Sequence, residues 1–194
     1  GVTLASGETL SADLIVSSAD PVTTFKNLVG YAHIETGFAR RIEHIRSKSG
    51  TAKVHLALSA LPKFKGLNEQ DLKHRLIIAP TMNDIERAFN ALKYDECSEH
   101  PALDISIPTL NDPSLAPSGQ HVLSAIVQYA PHSPKAGWDH LREEFLNRVI
   151  SEIERYAPGI SDLVCGKELL TPSDLEAEFG MTGGNWHHGE LTMD

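Results

Sequence analysis

Residues 52–59 alternate without a break, with Val54, Leu56 and Leu58 on one side and Lys53, His55, Ala57 and Ser59 on the other. A period of two sends successive side chains to opposite faces of a pleated strand. This segment therefore demands a sheet with one face in a core and the other polar or lining a cavity. A slip of one residue would turn all three aliphatic side chains outward, which pins the register. A sheet of this kind needs helices over its apolar face. Trp138 to Ala157 supplies one, with Leu141, Phe145, Val149, Ile153 and Tyr156 or Ala157 at helical spacing and Glu144–Arg148 as an i,i+4 pair in the favourable order. Pro158-Gly159 ends it.

The remaining elements follow from the same periodicities. Val2 to Leu10 reads as a strand, a Gly7 turn and a returning strand. Ala12-Asp13-Leu14-Ile15-Val16 is nearly all apolar, the pattern of a strand covered on both faces. Pro21 opens a helix through about Leu28, with Asp20 or Ser18 as cap and Gly30 as stop. Ile34, Phe38, Ile42 and Ile45 mark a second helix ending near Gly50. Arg75 to Ala79, Leu103 to Pro108 and Gln120 to Ala130 read as strands. Thr81 to Asp84 supplies the caps of a helix over 83–93, and Thr171-Pro172-Ser173-Asp174 opens a short helix closed by Gly180. The sum is an α+β fold, a mixed multi-stranded sheet with helices packed on it. The first 20 residues are expected to belong to a neighbouring domain.

Composition narrows the function. The 26 acidic against 17 basic side chains of these 194 residues, a net charge of −9, work against the clustered Lys and Arg that neutralise phosphates, so a nucleic-acid partner is not expected. No run approaches the roughly 18 apolar residues that cross a bilayer, and no basic-then-apolar leader opens the chain. Cys97 and Cys165 have no CxxC spacing and read as structural thiols in a reducing compartment, the cytoplasm or, in a eukaryote, the mitochondrial matrix. The chain starts at Gly1 and stops at Leu191-Thr192-Met193-Asp194, which reads as a piece of a longer protein.

Dinucleotide, phosphate-loop, nucleophile-elbow and zincin motifs are absent. Three constellations remain. Lys53 and His55 share the polar face of their strand, either solvated or facing a substrate, where a lysine orients water or stabilises developing negative charge. Gln128 and Tyr129 end the strand predicted over 120–130. The tract Gly183-Gly184-Asn185-Trp186-His187-His188-Gly189-Glu190 allows a polar closing loop, a site beside a flat cofactor, or a metal site. Adjacent residues of an extended chain point apart, which works against His187 and His188 sharing one ion.

The tract Val2-Thr3-Leu4 through Gly7, Ala12-Asp13-Leu14-Ile15-Val16 and Ala19-Asp20-Pro21 resembles the V-x-L-x-x-G-x-x-x-x-A-D-x-V-V-x-x-A-x-P signature of FAD-dependent oxidoreductases of the amine oxidase and phytoene desaturase superfamily. Lys53 to Leu58 before Leu61-Pro62, Pro108 to Pro117 before Gly119-Gln120-His121, and Gly183 to Glu190 look like the phytoene-dehydrogenase-like branch, the pyridine nucleotide-disulphide oxidoreductase domain-containing proteins. The resemblance covers essentially the whole chain. It implies that residues 1–20 are the hairpin and strand of an FAD-binding domain and 21–194 a substrate-binding domain. The family's N-terminal GxGxxG and its later Gly-rich segment lie outside this chain, so FAD is expected in the intact protein, and the fragment alone is expected to be inactive. By resemblance, Ser18, Ala19, Asp20 and Pro21 lie toward the flavin, and His188 is similar to the family's closing histidine. Lys53 is similar to the lysine that amine oxidases place, through a water, near the flavin N5, with a gap from Gly50 one residue shorter. Lys53, His55, Gln128 and Tyr129 then face a hydrophobic or amine-bearing organic substrate that gives up hydride. The competing expectations are a non-catalytic scaffold of the same fold and a metal-dependent hydrolase.

Overall fold

The computed structural model describes residues 1–48 and 50–190; the terminal tract Leu191 to Asp194 lies outside the described residues. The chain divides into two compact units, Gly1–Arg46 and Ser47–Asp194.

In the first unit, β1 (Val2–Thr3) pairs antiparallel with β2 (Thr9–Leu10), the hairpin the sequence predicts. The strand expected at 12–16 does not form. Leu14 and Val16 are 79% and 85% exposed, and the segment makes no strand pairing among the described residues. An apolar run becomes a buried strand only where neighbours bond its backbone on either side, and a two-residue hairpin offers none. Asp20 is buried, and its carboxylate accepts from the Thr23 amide at 2.9 Å and hydroxyl at 2.7 Å. It starts the helical turn at Pro21, which continues as a π-helical segment, Thr23–Val29, up to Gly30. The first helix, α1 (Thr36–Glu43), is capped by the Glu35 carboxylate on the amides of Gly37 and Phe38. It stops short of the expected Gly50, because the His44 ring donates to the Arg40 carbonyl at 2.6 Å and closes the last turn from its own side chain.

The second unit is built on a five-stranded sheet in the order β4-β5-β6-β3-β7: β3 (Thr51–Leu58), β4 (Leu76–Ile78), β5 (Ala102–Ser106), β6 (His121–Gln128) and β7 (Val164–Leu170). Every pairing is antiparallel, which corrects the expected mixed sheet. The alternation along 52–59 already carries the reason: an antiparallel sheet can leave one face uncovered, whereas parallel strands are buried on both. The predicted faces are observed. Ala52, Val54, Leu56 and Leu58 are fully buried, while Lys53, His55 and Ala57 turn to the other face. Each of the large aliphatic side chains contributes about 1.5–3 kcal/mol on burial, before conformational entropy.

Over the core face lies α3 (Trp138–Tyr156), the helix predicted at 138–157, with Phe145, Val149 and Ile153 in one cluster with the sheet. The helix predicted at 83–93 is α2 (Met82–Lys93), opened by a Thr81–Asp84 capping box. A one-turn helix, α4 (Ile160–Leu163), leads into β7, and α5 (Pro172–Phe179) follows behind a Thr171–Asp174 capping box. Arg142 of α3 clamps the start of α5, donating to both Asp174 oxygens at 2.7 and 2.9 Å and to the Leu169 carbonyl at 2.8 Å.

Candidate functional site

Where β3 begins and β6 ends, a cavity of about 1170 Å³ opens within the second unit. Gln128 and Tyr129, the predicted lining pair, stand on it, and the peptide between them is cis. The Tyr129 ring is held edge-on against Phe89 of α2 at 5.1 Å. Opposite in sequence, the closing tract contributes Asn185, Trp186 and His187. This tract lies tight against neighbouring backbone. A Cβ on Gly183 would sit 2.0 Å from the Ser47 carbonyl oxygen, and one on Gly184 2.0 Å from that of Pro172, with φ near +65° at both. Only glycine fits, which is the physical content of the Gly-Gly pair. Buried Asn185 then orders the turn, its side chain accepting from the His187 amide and its carbonyl from the His188 amide.

One polar chain on the cavity wall was not predicted. His132 Nε2 meets Glu176 Oε2 at 2.8 Å, and its Nδ1 meets the Ser133 hydroxyl at 2.9 Å. The other Glu176 oxygen accepts the Gly183 amide at 2.6 Å. A carboxylate only accepts, so Nε2 carries the proton toward Glu176, and Nδ1 of the neutral ring accepts from Ser133. No motif marks this trio, because His132 and Glu176 are 44 residues apart. The one local hint is Pro131-His132-Ser133-Pro134 directly after β6, a stiffened segment that a side chain can use as a platform.

The structure leaves Lys53 and His55 off the cavity lining. They occupy the second face of the sheet, with Thr51, which does line the cavity, two positions before Lys53 and thus about 7 Å away along the strand. One row crosses this face from Ile77 through Asp104, Ile126 and Lys53 to Leu170. Half-burial between Ile126 and Leu170 lowers the Lys53 pKa; the Asp104 charge opposes that and Arg75 reinforces it. Arg75 and Asp104 are themselves paired through both guanidinium and carboxylate ends. His55 is bonded through Nδ1 to Glu168 of β7 at 2.9 Å. In the first unit, Ser18 and Ala19 are exposed and the Asp20 carboxylate serves Thr23 ahead of Pro21. His188 is exposed, at φ 64°, beside the lining residues His187 and Gly189.

Among the described residues no three His, Cys, Asp or Glu side chains are grouped to hold a metal ion, and no helix is long and apolar enough to cross a membrane. Burial pushes the Cys97 thiol up to about 11, against the opposing pull of Arg148.

Comparison with known proteins decides the relationship. Pyridine nucleotide-disulfide oxidoreductase domain-containing protein 2 of Rattus norvegicus is 33% identical over 205 residues, which take in 100% of this chain and 35% of that protein. The lycopene-forming phytoene desaturase of a Paracoccus species is 27% identical over 97% of the chain and 36% of its own length. The 4,4'-diaponeurosporene oxygenase of Staphylococcus haemolyticus is 25% identical over 95% of the chain. Along its whole length the chain is similar to pyridine nucleotide-disulfide oxidoreductase domain-containing protein 2 and to the phytoene desaturases. No family model matches it. It spans about a third of the length of these phytoene-desaturase-like relatives.

Proposed function

We propose that this chain is the substrate-binding part of an FAD-dependent oxidoreductase that removes hydride from an organic substrate. The observation that carries the reading is the cavity of about 1170 Å³, walled by aromatic rings and a hydrogen-bonded His–Ser–Glu chain, in a polypeptide aligned along its whole length with oxidoreductases. Sites of this kind are concave, largely apolar and carry a few convergent polar groups. When bound, flavin supplies a two-electron acceptor. The residues present fit such a group in one respect: exposed imidazoles at His187 and His188 stand beside the cavity-lining backbone of Gly189, where a flat ring can approach closely.

In this reading Gln128 and Tyr129 line the substrate chamber, and Thr51 links it to the face carrying Lys53 and His55. Half-buried Lys53 holds a cation, or a positioned water, where negative charge develops. His188 has the role of the closing histidine, and residues 1–20 belong to a flavin-binding domain, with Ser18, Ala19, Asp20 and Pro21 toward the flavin. The bare apolar side chains of Leu14 and Val16 support this, since a further domain would cover them. The test is the whole protein. It should purify with a flavin absorbance band and lose most turnover in Lys53→Ala. A colourless protein that cannot be reconstituted with FAD rejects the cofactor, and unchanged Lys53→Ala turnover removes Lys53 from the reaction.

A further inference from the structure

We infer that the cavity takes an organic alcohol, its hydroxyl seated on the His132–Ser133–Glu176 chain and its apolar body against Tyr129 and Trp186. This deepens the hydride-removal reading above and rests on it. The hydrogen-bond inventory selects the ligand group. Both His132 nitrogens are engaged, one with Glu176 and one with Ser133, and the two Glu176 oxygens take His132 and the Gly183 amide. What this wall still offers is lone pairs, on the exposed Ser133 hydroxyl and on the 44%-exposed Glu176 side chain. A group docking here must donate. Hydrocarbons and ethers cannot, and a carboxylate would face acceptors and the Glu176 charge.

A hydroxyl and an ammonium both donate. Lys48 and Lys93 share the lining with Asp95, Glu176 and Glu190, one more carboxylate than ammonium, so charge does not select the hydroxyl; the base does. Taking hydride from a carbon that bears a hydroxyl requires the O–H proton to leave as the carbonyl forms, and a neutral imidazole oriented by a carboxylate is the group that accepts it. The step balances. The alcohol proton passes to Ser133 Oγ as the serine proton moves to His132 Nδ1. A bound two-electron acceptor of the kind proposed above would take the C–H hydrogen with its electron pair, so that C–O becomes C=O. His132 ends as imidazolium against Glu176.

The test is a titration of the full chain with 4-phenylbutan-1-ol, its methyl ether and 4-phenylbutylamine, followed by Trp186 fluorescence, with Trp186→Phe identifying the signal. One donated hydrogen bond is expected to make the alcohol bind about tenfold tighter than the ether. Ser133→Ala, which removes the oxygen that receives the hydroxyl, should bring the alcohol toward the ether's affinity and leave the ether unchanged. Equal affinity of alcohol and ether in the unaltered chain overturns the proposal whatever the variant does. Tighter binding of the amine than of the alcohol also overturns it, in favour of an ammonium ligand. The titration needs no flavin, so a flavin-free whole protein would defeat the oxidoreductase reading without touching this result.

Discussion

Replacing Asp174 by Asn tests whether the clamp on α5 holds the cavity wall. The Asp174 carboxylate sits under the bidentate Arg142 guanidinium and accepts from the Thr171 amide at 2.8 Å and hydroxyl at 2.7 Å. These contacts, Arg142 first, lower its pKa from 3.8 to about 2. A depressed folded-state pKa contributes stability that is present above the unfolded value and lost as pH falls through the folded one. A shift of nearly two units corresponds to on the order of 2 kcal/mol, an upper figure because solvent reaches Arg142. Urea unfolding of the second unit, followed by the buried Trp138, should show Asp174→Asn weaker by about 1–2 kcal/mol near neutral pH. The difference should shrink as pH falls from 3.8 and approach zero only below about 2, where the wild-type carboxylate is protonated in the folded state too. Glu176 rides on the same helix, so the variant should also loosen the His132 contact. A loss as large in acid as at neutral pH, or none at neutral pH, refutes the reasoning.

Three further outcomes are expected. Gly183→Ala should lower stability by more than about 2 kcal/mol in thermal unfolding, because its Cβ meets the Ser47 backbone and φ is positive; a neutral result contradicts the close approach. Lys53→Met should raise stability near neutral pH by on the order of 0.5 kcal/mol, since a lysine whose pKa burial lowers weighs against folding while protonated. The gain should shrink as pH rises past the folded pKa and vanish only above the unfolded value of 10.5, which urea midpoints across alkaline pH would show. Native chain treated with an aromatic disulfide should react at exposed Cys165 and about a hundredfold more slowly at Cys97, whose raised pKa leaves little thiolate; equal rates by mass spectrometry refute this.

Much of the second unit is legible in residues a few positions apart. The capping boxes at Thr81 and Thr171, the stripe of α3 and the alternation of β3 are each written within one turn or one strand, and each appears where its pattern lies. The site is legible in part. Gln128 and Tyr129 reach the cavity, while the polar face of β3 carries Lys53 and His55 past its edge. β7 went unread because Gly166, Lys167 and Glu168 break an apolar rhythm, and it exists through its ladder with β3. The run at 12–16 failed the other way, with a strand's composition but no partner to bond.

The sequence by itself determined where α2, α3, α5 and β3 form and which face α3 and β3 bury, because those choices depend on backbone sterics and solvent within a few residues. Tertiary structure alone decided that the strands run antiparallel and that His132 meets Glu176. A contact across 44 residues is set by the packing of whole elements, and no local pattern encodes it.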